Sequence, residues 1–379
     1  MNRGDRWIIW LAAILTAFGV VMVYSAGSFA SFIHHQGGNY YLEQQLVRVA
    51  LGGALMWFCA SKLSLRWLEN VSPWALGLTC LLLLAVVVVG HTSKGATRWF
   101  RLGSASLQPT ELARVAAVIF MAMWLKRRPV AEHGFWRGLV PPMLILAAIS
   151  GLIFKQPALS SAALLFATGF LMMFLSGAPM RYLLIPVGVG GLAVVGGIAT
   201  HPYQLKRIET FLDFVLHGKI DAQGSGYQIN QSLIAIGSGG IFGRGLGAGF
   251  QKLLSLPDAH TDFIFAIIGE ELGLIGATVL LVVLGLFLWR GMRVTARCSD
   301  PFACLLAGGL TVQFGLYAAA NLMVATSLMP TTGLPLPFVS YGGSALLVNL
   351  AAAGILYRIS ALNDESEALT RQRWAREGA

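Results

Sequence analysis

The chain has 379 residues, of which 56% are hydrophobic and 12% charged, and its mean hydropathy of +0.69 excludes an ordinary soluble globular protein. The net charge of +10 comes with loop lysines and arginines and with no basic stripe interleaved with aromatic residues outside the loops, so nucleic-acid binding is excluded. The four cysteines fall in or beside apolar runs without a CxxC pair, which argues against disulfides and structural zinc.

Apolar runs of about twenty residues are long enough to cross a bilayer as helices. Ten such runs occur, at residues 7–26, 45–61, 72–90, 108–126, 138–154, 159–176, 182–199, 262–289, 302–327 and 339–358. The predicted fold class is therefore an all-α integral membrane protein with ten transmembrane helices. The predicted organisation is one membrane domain, 1–360, followed by a charged tail, 361–379.

Lysines and arginines in short loops indicate the orientation, because such loops are retained in the cytoplasm. With ten spans, the basic loops 61–71, 126–137 and 290–297 lie on the same side of the membrane as both termini, so both ends are predicted to be cytoplasmic. The long loop 200–261, between helices 7 and 8, is then extracytoplasmic. No cleavable signal is evident in the first apolar run.

The short loop 91–107 breaks this charge bias. It carries Lys94, Arg98 and Arg101 on the predicted outer side, where nothing in membrane topology requires cations. Such cations suit a phosphate-bearing ligand, and contact with lipid headgroups is the alternative. Just beyond them, Glu111 and Arg114 stand three apart on a predicted helix and can pair. That pair is either structural or part of a substrate site.

The stretch "LPDAHTDFIFAIIGEELGLIG", residues 256–276, places acids in a membrane-grade apolar run. Ionisable groups at membrane depth are costly and normally face a cavity or a partner. On a helix starting near Asp262, Glu270 lies about 80° around and Glu271 about 180° around. Asp262 and Glu270 are therefore predicted to face one cavity, and Glu271 to pair elsewhere. Helix capping is the alternative role for Asp262.

Two further stretches are rich in glycine or proline. In "GYQINQSLIAIGSGGIFGRGLG", residues 226–247, no strand precedes the glycines, so a nucleotide fingerprint is excluded and a helix at 228–236 with a tight glycine turn is predicted. In "MPTTGLPLPFVSYGGSALLVN", residues 329–349, prolines and glycines predict a fixed non-helical entrance lined by Ser340, Tyr341 and Ser344.

These stretches, together with "QPTELAR" at 108–114, resemble the signature blocks of the SEDS family (shape, elongation, division and sporulation), typified by FtsW and RodA. The resemblance runs from about residue 7 to 360 and is nearer the division type than the elongation type. It implies an inverting peptidoglycan glycosyltransferase of the bacterial inner membrane. Such an enzyme polymerises lipid II at an extracytoplasmic active site, in cell division or in the maintenance of cell shape, and releases undecaprenyl pyrophosphate.

The resemblance also assigns roles. Asp262 corresponds to the family's essential aspartate and is the candidate general base. The candidate substrate-binding residues are Arg48, Lys94, Arg98, Glu111, Arg114, Gln231, Ser232, His260, Thr261, Glu270, Ser340, Tyr341, Gly342 and Gly343. No cofactor is certain, and a divalent cation, Mg²⁺ or Mn²⁺, on the pyrophosphate is compatible with this chemistry. The implied partners are a class B penicillin-binding protein and further division or elongation proteins.

Two departures from the family pattern leave questions open. Ala158 and Ser160 stand in "QPALS", where the family usually has an acid in "QPDLG", and Arg114 stands where lysine is commoner. Two other functions therefore stay open: a lipid II flippase, or a non-catalytic scaffold for the transpeptidase. The polar groups crowd toward one side, which favours the polymerase over a flippase.

Overall fold

The computed structural model describes residues 4–35, 37–93, 96–102, 105–218, 224–253 and 256–377. Helices dominate this part of the chain. One predicted site residue, Lys94, lies outside the described residues.

The helices follow the apolar runs. The first half of the chain contains α1 (Arg6–His35), α2 (Tyr40–Lys62), α3 (Leu65–Val89), α4 (Pro109–Arg127), α5 (Val130–Gly134), a π-helical turn (Phe135–Leu139), α6 (Val140–Phe154) and α7 (Leu159–Leu175). The second half contains α8 (Met180–Thr200), α9 (Pro202–His217), α10 (Ser225–Gly239), α11 (Ile264–Arg297), α12 (Pro301–Ala325) and α13 (Gly343–Glu377). Each of the ten predicted spans overlaps one of these helices.

Length and composition mark seven spans among the described residues as able to cross a membrane: Arg6–Ile33, Leu65–Val89, Val130–Phe154, Met180–Thr200, Ile264–Arg297, Pro301–Ala325 and Gly343–Glu365. Helix α7 is apolar but shorter. Helices α2 and α4 fall outside this set because each carries charged and polar side chains, among them Arg48 on α2 and Glu111 on α4. The multi-pass fold is thus clear, whereas composition alone does not establish all ten crossings.

The stretch predicted as the loop 91–107 contains a small antiparallel sheet, which corrects the all-α prediction. Strands β1 (His91–Ser93), β2 (Ala96–Leu102) and β3 (Ala105–Leu107) pair in chain order. The sequence of β2, ATRWFRL, contains the β-branched and aromatic residues that favour strands. This sheet, and not a flexible loop, carries Arg98.

Helix α11 is broken at Gly273, where φ is +65° and ψ is −163°. A Cβ atom there would lie 2.3 Å from the amide nitrogen of Gly243, so only glycine fits. The break leaves main-chain groups that need partners, and the glycine-rich turn after α10 supplies them. The connecting hydrogen bonds, at 2.9–3.2 Å, are Arg244 N to Glu270 O, Gly245 N to Glu271 O, Leu274 N to Gly240 O and Ile275 N to Ile241 O.

The long segment 200–261 is therefore structured. The predicted helix at 228–236 and the glycine turn after it are confirmed by α10 and by Gly240, Gly243, Gly245 and Gly247, all with positive φ. Helix α9 precedes them, and the sequence analysis had not predicted it.

The interior of the bundle is built around α4, which packs against α3, α7 and α12 and buries most of its length. Helix α13 packs along α2, where a Cβ on Gly354 would lie 2.4 Å from the carbonyl oxygen of Met56. Small residues let two helix backbones approach closely in a membrane protein. These contacts hold α2, α4, α12 and α13, the helices that carry the candidate site, as one unit.

Candidate functional site

Asp262 lies in a tight turn just before α11. Its amide nitrogen donates to the carbonyl oxygen of Asp258 at 3.1 Å, and Asp258 itself has a positive φ of 56°. The residue that caps α11 is Phe263, and the helix has no side-chain cap. Asp262 is partly exposed. The N-cap position of α11 is therefore taken by Phe263 and not by Asp262.

A non-helical segment, 326–342, lies beside this turn and is hydrogen-bonded to it. The hydroxyl of Ser340 donates to the carbonyl oxygen of Thr261 at 2.6 Å, and the amide of Tyr341 donates to that of His260 at 3.0 Å. A Cβ added to Gly333 would lie 3.5 Å from Oδ2 of Asp262. The predicted fixed entrance is thus present. The segment supports the turn through two hydrogen bonds to its main chain, one from the Tyr341 amide and one from the Ser340 hydroxyl.

Aromatic rings and one arginine form a wall next to the turn, which we call the aromatic wall: Tyr41, His260, Tyr341 and Arg48. The ring of His260 packs 4.4 Å from that of Tyr41 and 5.5 Å from that of Tyr341. The guanidinium of Arg48 lies 4.4 Å above the Tyr341 ring. Stacking on a ring leaves the edge of a guanidinium able to donate hydrogen bonds. Arg48, His260 and Tyr341 are therefore brought together as predicted.

The ion pair predicted on α4 is present and buried. Nη2 of Arg114 lies 2.8 Å from Oε2 of Glu111, and both side chains are at most 5% exposed. Arg114 also donates to Oδ1 of Asn349 at 2.5 Å and stacks on Tyr317 at 4.5 Å. A buried ion pair needs such additional partners to offset the loss of hydration.

Helix α12 links this ion pair to Asp262 through a polar stripe of three residues spaced four apart, Gln313, Tyr317 and Asn321. Gln313 donates to the carbonyl oxygen of Arg114 at 3.2 Å, and Tyr317 lies under the Arg114 guanidinium. Asn321 donates to the carbonyl oxygen of Asp262 at 2.8 Å. Successive members of the stripe are separated by about 6 Å along a helix axis. Both predicted elements of the site therefore rest on one face of one helix.

Arg207 on α9 adds a cation that the sequence analysis noted only as a breach of the charge bias. Its Nη1 donates to the carbonyl oxygen of Thr331 at 2.9 Å. Thr331 is two residues before Gly333, the glycine that lies next to the Asp262 carboxylate. The side chain is partly exposed. The long segment 200–261 thus contributes a positive charge to the entrance.

Arg98 lies farther from Asp262 in the hydrogen-bond network. Its Nε donates to the carbonyl oxygen of Gln156 at 2.7 Å, and its Nη2 donates to that of Pro157. These contacts attach the small sheet to the turn between α6 and α7. Ala158, where the family usually has its acid, is buried in that turn at the start of α7 and supplies no cap.

The remaining predicted residues divide between the site and the framework. Thr261 is partly exposed in the Asp262 turn, and Gln231, Gly342 and Gly343 are also partly exposed. A Cβ on Gly343 would lie 2.9 Å from Oγ of Ser106 in β3, so this glycine lets the sheet approach α13.

Two residues predicted to bind substrate are instead buried and bonded to other parts of the chain. Ser232 is fully buried, and its hydroxyl donates to the carbonyl oxygen of Ala325 at 2.7 Å, which fastens α10 to α12. Glu270 is 1% exposed and accepts from the amides of Phe250 and Gln251, the shortest contact being 2.7 Å. Glu270 therefore does not face an open cavity with Asp262. The predicted angle of about 80° between the two side chains assumed a helix starting near Asp262, whereas α11 starts at Ile264.

Glu271, by contrast, pairs elsewhere as predicted. Its Oε1 lies 2.6 Å from Nζ of Lys252, and it accepts from the hydroxyl of Ser25 on α1 at 2.6 Å. The amide of Gly247 also donates to it, at 3.0 Å. We call Ser25, Lys252 and Glu271 the buried triad. It holds the glycine-rich turn against α1 and the broken helix.

Sequence reasoning missed three residues whose role is visible in the structure: Tyr41, Arg207 and Asn321. The signal for Asn321 was an amide inside the apolar run 302–327, where a polar group needs a partner. Among the described residues, no three His, Cys, Asp or Glu side chains converge as a group that could hold a metal ion.

Fold and site together define a multi-pass helical membrane protein with a partly exposed aspartate at the entrance of a bundle that contains buried and half-buried arginines. The family described as "Cell cycle protein", covering FtsW, RodA and SpoVE, matches residues 5–365. The chain belongs to this family.

Curated relatives and solved structures agree with that assignment. The "Probable peptidoglycan glycosyltransferase FtsW" of Geobacter metallireducens is 41% identical over 364 residues, which is 95% of each chain. The "Stage V sporulation protein E" of Bacillus subtilis is 34% identical over 366 residues, 94% of this chain and 96% of the relative.

The crystal structure of the rod shape determining protein RodA of Thermus thermophilus has a TM-score of 0.69 at 30% identity, covering 94% of this chain and 96% of RodA. A chain from a peptidoglycan synthase complex that coordinates polymerization and crosslinking has a TM-score of 0.76 at 30% identity and covers 95% of this chain and 98% of its own.

Proposed function

We propose that this protein is a peptidoglycan glycosyltransferase that polymerises lipid II into glycan strands and releases undecaprenyl pyrophosphate. The relatives named as peptidoglycan glycosyltransferases support the activity. The observation that carries the chemistry is Asp262: a partly exposed acidic residue, one position before the N-cap of α11, in a turn held by main-chain hydrogen bonds.

The reaction needs a base for the acceptor. A hydroxyl of the acceptor sugar attacks the anomeric carbon of the donor, the bond from that carbon to the pyrophosphate oxygen breaks, and a β-1,4 bond forms with inversion. Asp262 accepts the proton that the hydroxyl loses, and undecaprenyl pyrophosphate leaves with the electron pair. A general base must lie within hydrogen-bond reach of that proton. A single displacement requires no second carboxylate as nucleophile, which fits the engagement of Glu270 by loop amides.

The leaving group requires fixed positive charge. Arg48, which stacks on Tyr341 in the aromatic wall, and Arg207, which donates to Thr331 at the entrance, are the proposed cations. Preorganised cations stabilise charge that develops on a departing pyrophosphate. Arg98 in the small sheet is a further candidate, and so is Lys94, which lies outside the described residues. The buried pair of Glu111 and Arg114 shapes the wall from below and does not bind the pyrophosphate in this proposal.

A divalent cation, Mg²⁺ or Mn²⁺, would fit this site as an ion held mainly by pyrophosphate oxygens. Asp258, in the same turn as the proposed base, is the carboxylate that would hold such an ion, since Glu270 and Glu271 are already engaged. Such an ion would neutralise charge on the leaving group.

The protein is placed in the bacterial inner membrane with the Asp262 entrance outside and both termini in the cytoplasm. The parity of basic loops supports this orientation. A thiol-labelling experiment tests it: Asp213→Cys on α9 should react with a membrane-impermeant maleimide in whole cells, and Arg137→Cys only after lysis. The four native cysteines are free thiols, so both variants are made in a background in which these cysteines are replaced by serine.

A class B penicillin-binding protein is the proposed partner, along with division or elongation proteins. The likeness to a chain of a complex that couples polymerization and crosslinking supports a transpeptidase partner. The partner would crosslink the strand as it is made.

Purified protein with its transpeptidase partner, labelled lipid II and Mn²⁺ tests the activity. Wild type should make glycan polymer, and Asp262→Asn should make none. Asp213→Asn is the matched control, because Asp213 is 56% exposed on α9 and pairs only with His217. A flippase would be favoured by two results together: the wild type makes no polymer, and Asp262→Asn still translocates lipid II. If the wild type with its partner makes no polymer and moves no lipid, the scaffold function replaces the proposal.

A further inference from the structure

A cavity of about 720 Å³ lies away from Asp262, where α2, α3, α12 and α13 meet. Its ionisable lining consists of Lys62, Arg66, Glu69, Lys126, Asp300 and Arg358. The unbroken part of α11, residues 274–297, leads away from the Asp262 turn and is about 36 Å long at the usual helical rise. Asp300 follows directly, so this cavity is on the opposite face and separate from the site above.

The acids in the cavity are already compensated. Lys126 lies 2.9 Å from Glu69 and 3.2 Å from Asp300, and Arg127 adds a longer contact to Glu69 at 3.7 Å. Asp300 also caps α12 by accepting from the amide of Ala303. The acidic side chains therefore do not neutralise the other cations of the cavity.

Three cations remain around the open space. Lys62 and Arg66 are exposed, and within the described part of the chain neither pairs with an acid. Arg358 is held by a hydrogen bond from its Nε to the carbonyl oxygen of Leu63 at 3.2 Å, which fixes its direction. Cations converging from α2, α3 and α13 create a positive concave surface, and such a surface attracts an anion with several oxygens.

The apolar surroundings favour an anion that is attached to a lipid. Leu65 and Phe302 line the same cavity, and Trp67, adjacent to Arg66, is 56% exposed. Exposed tryptophan is enriched at the level of the headgroups, where its ring contacts both chains and water. Basic pockets between the ends of membrane helices bind anionic headgroups.

We propose that this cavity binds the phosphate headgroup of an anionic phospholipid, with Lys62, Arg66 and Arg358 as its cationic ligands. The bound headgroup bridges the C-terminal end of α2, the N-terminal end of α3 and the middle of α13. Because α2 and α13 also carry Arg48 and Asn349, the lipid stabilises the same helices that form the site on the other face. This binding is independent of glycosyl transfer.

The test is a titration of the detergent-purified protein with short-chain phosphatidylglycerol, read as the thermal unfolding midpoint. Wild type should show a saturable rise with phosphatidylglycerol and none with phosphatidylcholine. The double variant Lys62→Gln/Arg66→Gln should weaken the apparent Kd by roughly fivefold per cation removed. Both residues are exposed, so the midpoint without lipid should stay at the wild-type value.

The matched control is Arg137→Gln/Arg181→Gln, which removes the same charge from two exposed arginines outside the cavity. This control should bind like wild type. An equal loss in the control would reduce the effect to net charge and overturn the site. A rise of the same size with inorganic phosphate alone would assign the cavity to a soluble anion and overturn the lipid assignment.

Discussion

The side-chain amide of Asn321 donates to the main-chain oxygen of Asp262 at 2.8 Å and, from the same nitrogen, to that of Leu334 at 2.8 Å. One buried amide on α12 thus ties the turn that carries the candidate base to the segment that forms the entrance. Asn321 is 1% exposed, so water does not replace these bonds when the amide is removed.

Asn321→Leu should therefore reduce both activity and stability. The carbonyl oxygens of Leu334, which is buried, and of Asp262, which is part-buried, would lose their donor, at a cost of about 1–3 kcal/mol for the buried one. A shift of the base by about 1 Å lowers turnover by about a hundredfold. Polymerisation rate and unfolding midpoint should be measured together, with Thr311→Val as the control, since the Thr311 hydroxyl on the same helix donates only to the carbonyl oxygen of Ala307. A variant with normal polymerisation would remove Asn321 from the support of Asp262.

The pair of Glu111 and Arg114 allows a prediction about geometry as distinct from charge. Arg114→Met leaves a buried carboxylate unpaired and should cost about 3–5 kcal/mol. Arg114→Lys keeps the charge but cannot reach Glu111 and Asn349 in the same planar arrangement, so it should cost clearly less. The double change Glu111→Gln/Arg114→Met should recover part of the loss. If lysine and methionine are equally damaging in thermal unfolding, the planar contacts and not the ion pair hold this region.

The sequence was sufficient for features that depend on local pattern. Apolar runs located the helices, and the spacing of Glu111 and Arg114 predicted their contact, because neighbours three apart share a helix face. The position of Asp262 at the start of an apolar run placed it at an entrance. Each of these follows from composition or from a few neighbouring residues.

The break at Gly273 could not be predicted in this way. The run from Ile264 to Arg297 is apolar enough to form a continuous helix, and the break is stable only because the distant glycine-rich turn satisfies its main-chain groups. The side chain of Glu270 was predicted to face Asp262 for a similar reason: its actual partners are amides about twenty residues upstream, which no local pattern indicates. Likewise Arg207 and Thr331 meet across 124 positions, and no local pattern records that contact.

The buried triad should control the stability of the segment that follows α10. Lys252→Met would leave Glu271 buried without its cation, which should cost about 3–5 kcal/mol. Lys252→Met/Glu271→Gln should be closer to wild type, because glutamine can still accept from Ser25 and Gly247. Limited proteolysis within 240–256, together with thermal unfolding, measures this. Equal damage in the single and double variants would mean that the charge pair does not dominate.

Arg207 should matter for turnover, and its neighbour Lys206 provides a matched control. Lys206 is exposed on the same helix, whereas Arg207 reaches the entrance through Thr331. Loss of one fixed electrostatic contact to a departing group lowers kcat by about 100-fold or more. Arg207→Ala should show that loss in lipid II polymerisation, and Lys206→Ala should not. If both variants polymerise at the same rate, the cation at the entrance is not part of the leaving-group site.

The alanine at position 158 allows a gain to be predicted. It stands at the start of α7 without a capping side chain, and the Arg98 guanidinium binds the two carbonyl groups just before it. Ala158→Asp would supply a cap worth about 1 kcal/mol and would place an acid near that cation. The unfolding midpoint should rise, and the response of polymerisation to Mn²⁺ should be compared with wild type.

Ala158→Asn is the control, because it caps equally well without charge. A gain in metal-stimulated turnover with aspartate but not asparagine would show that the family's acid acts through its charge. Equal gains would assign the acid a purely structural role at the helix start.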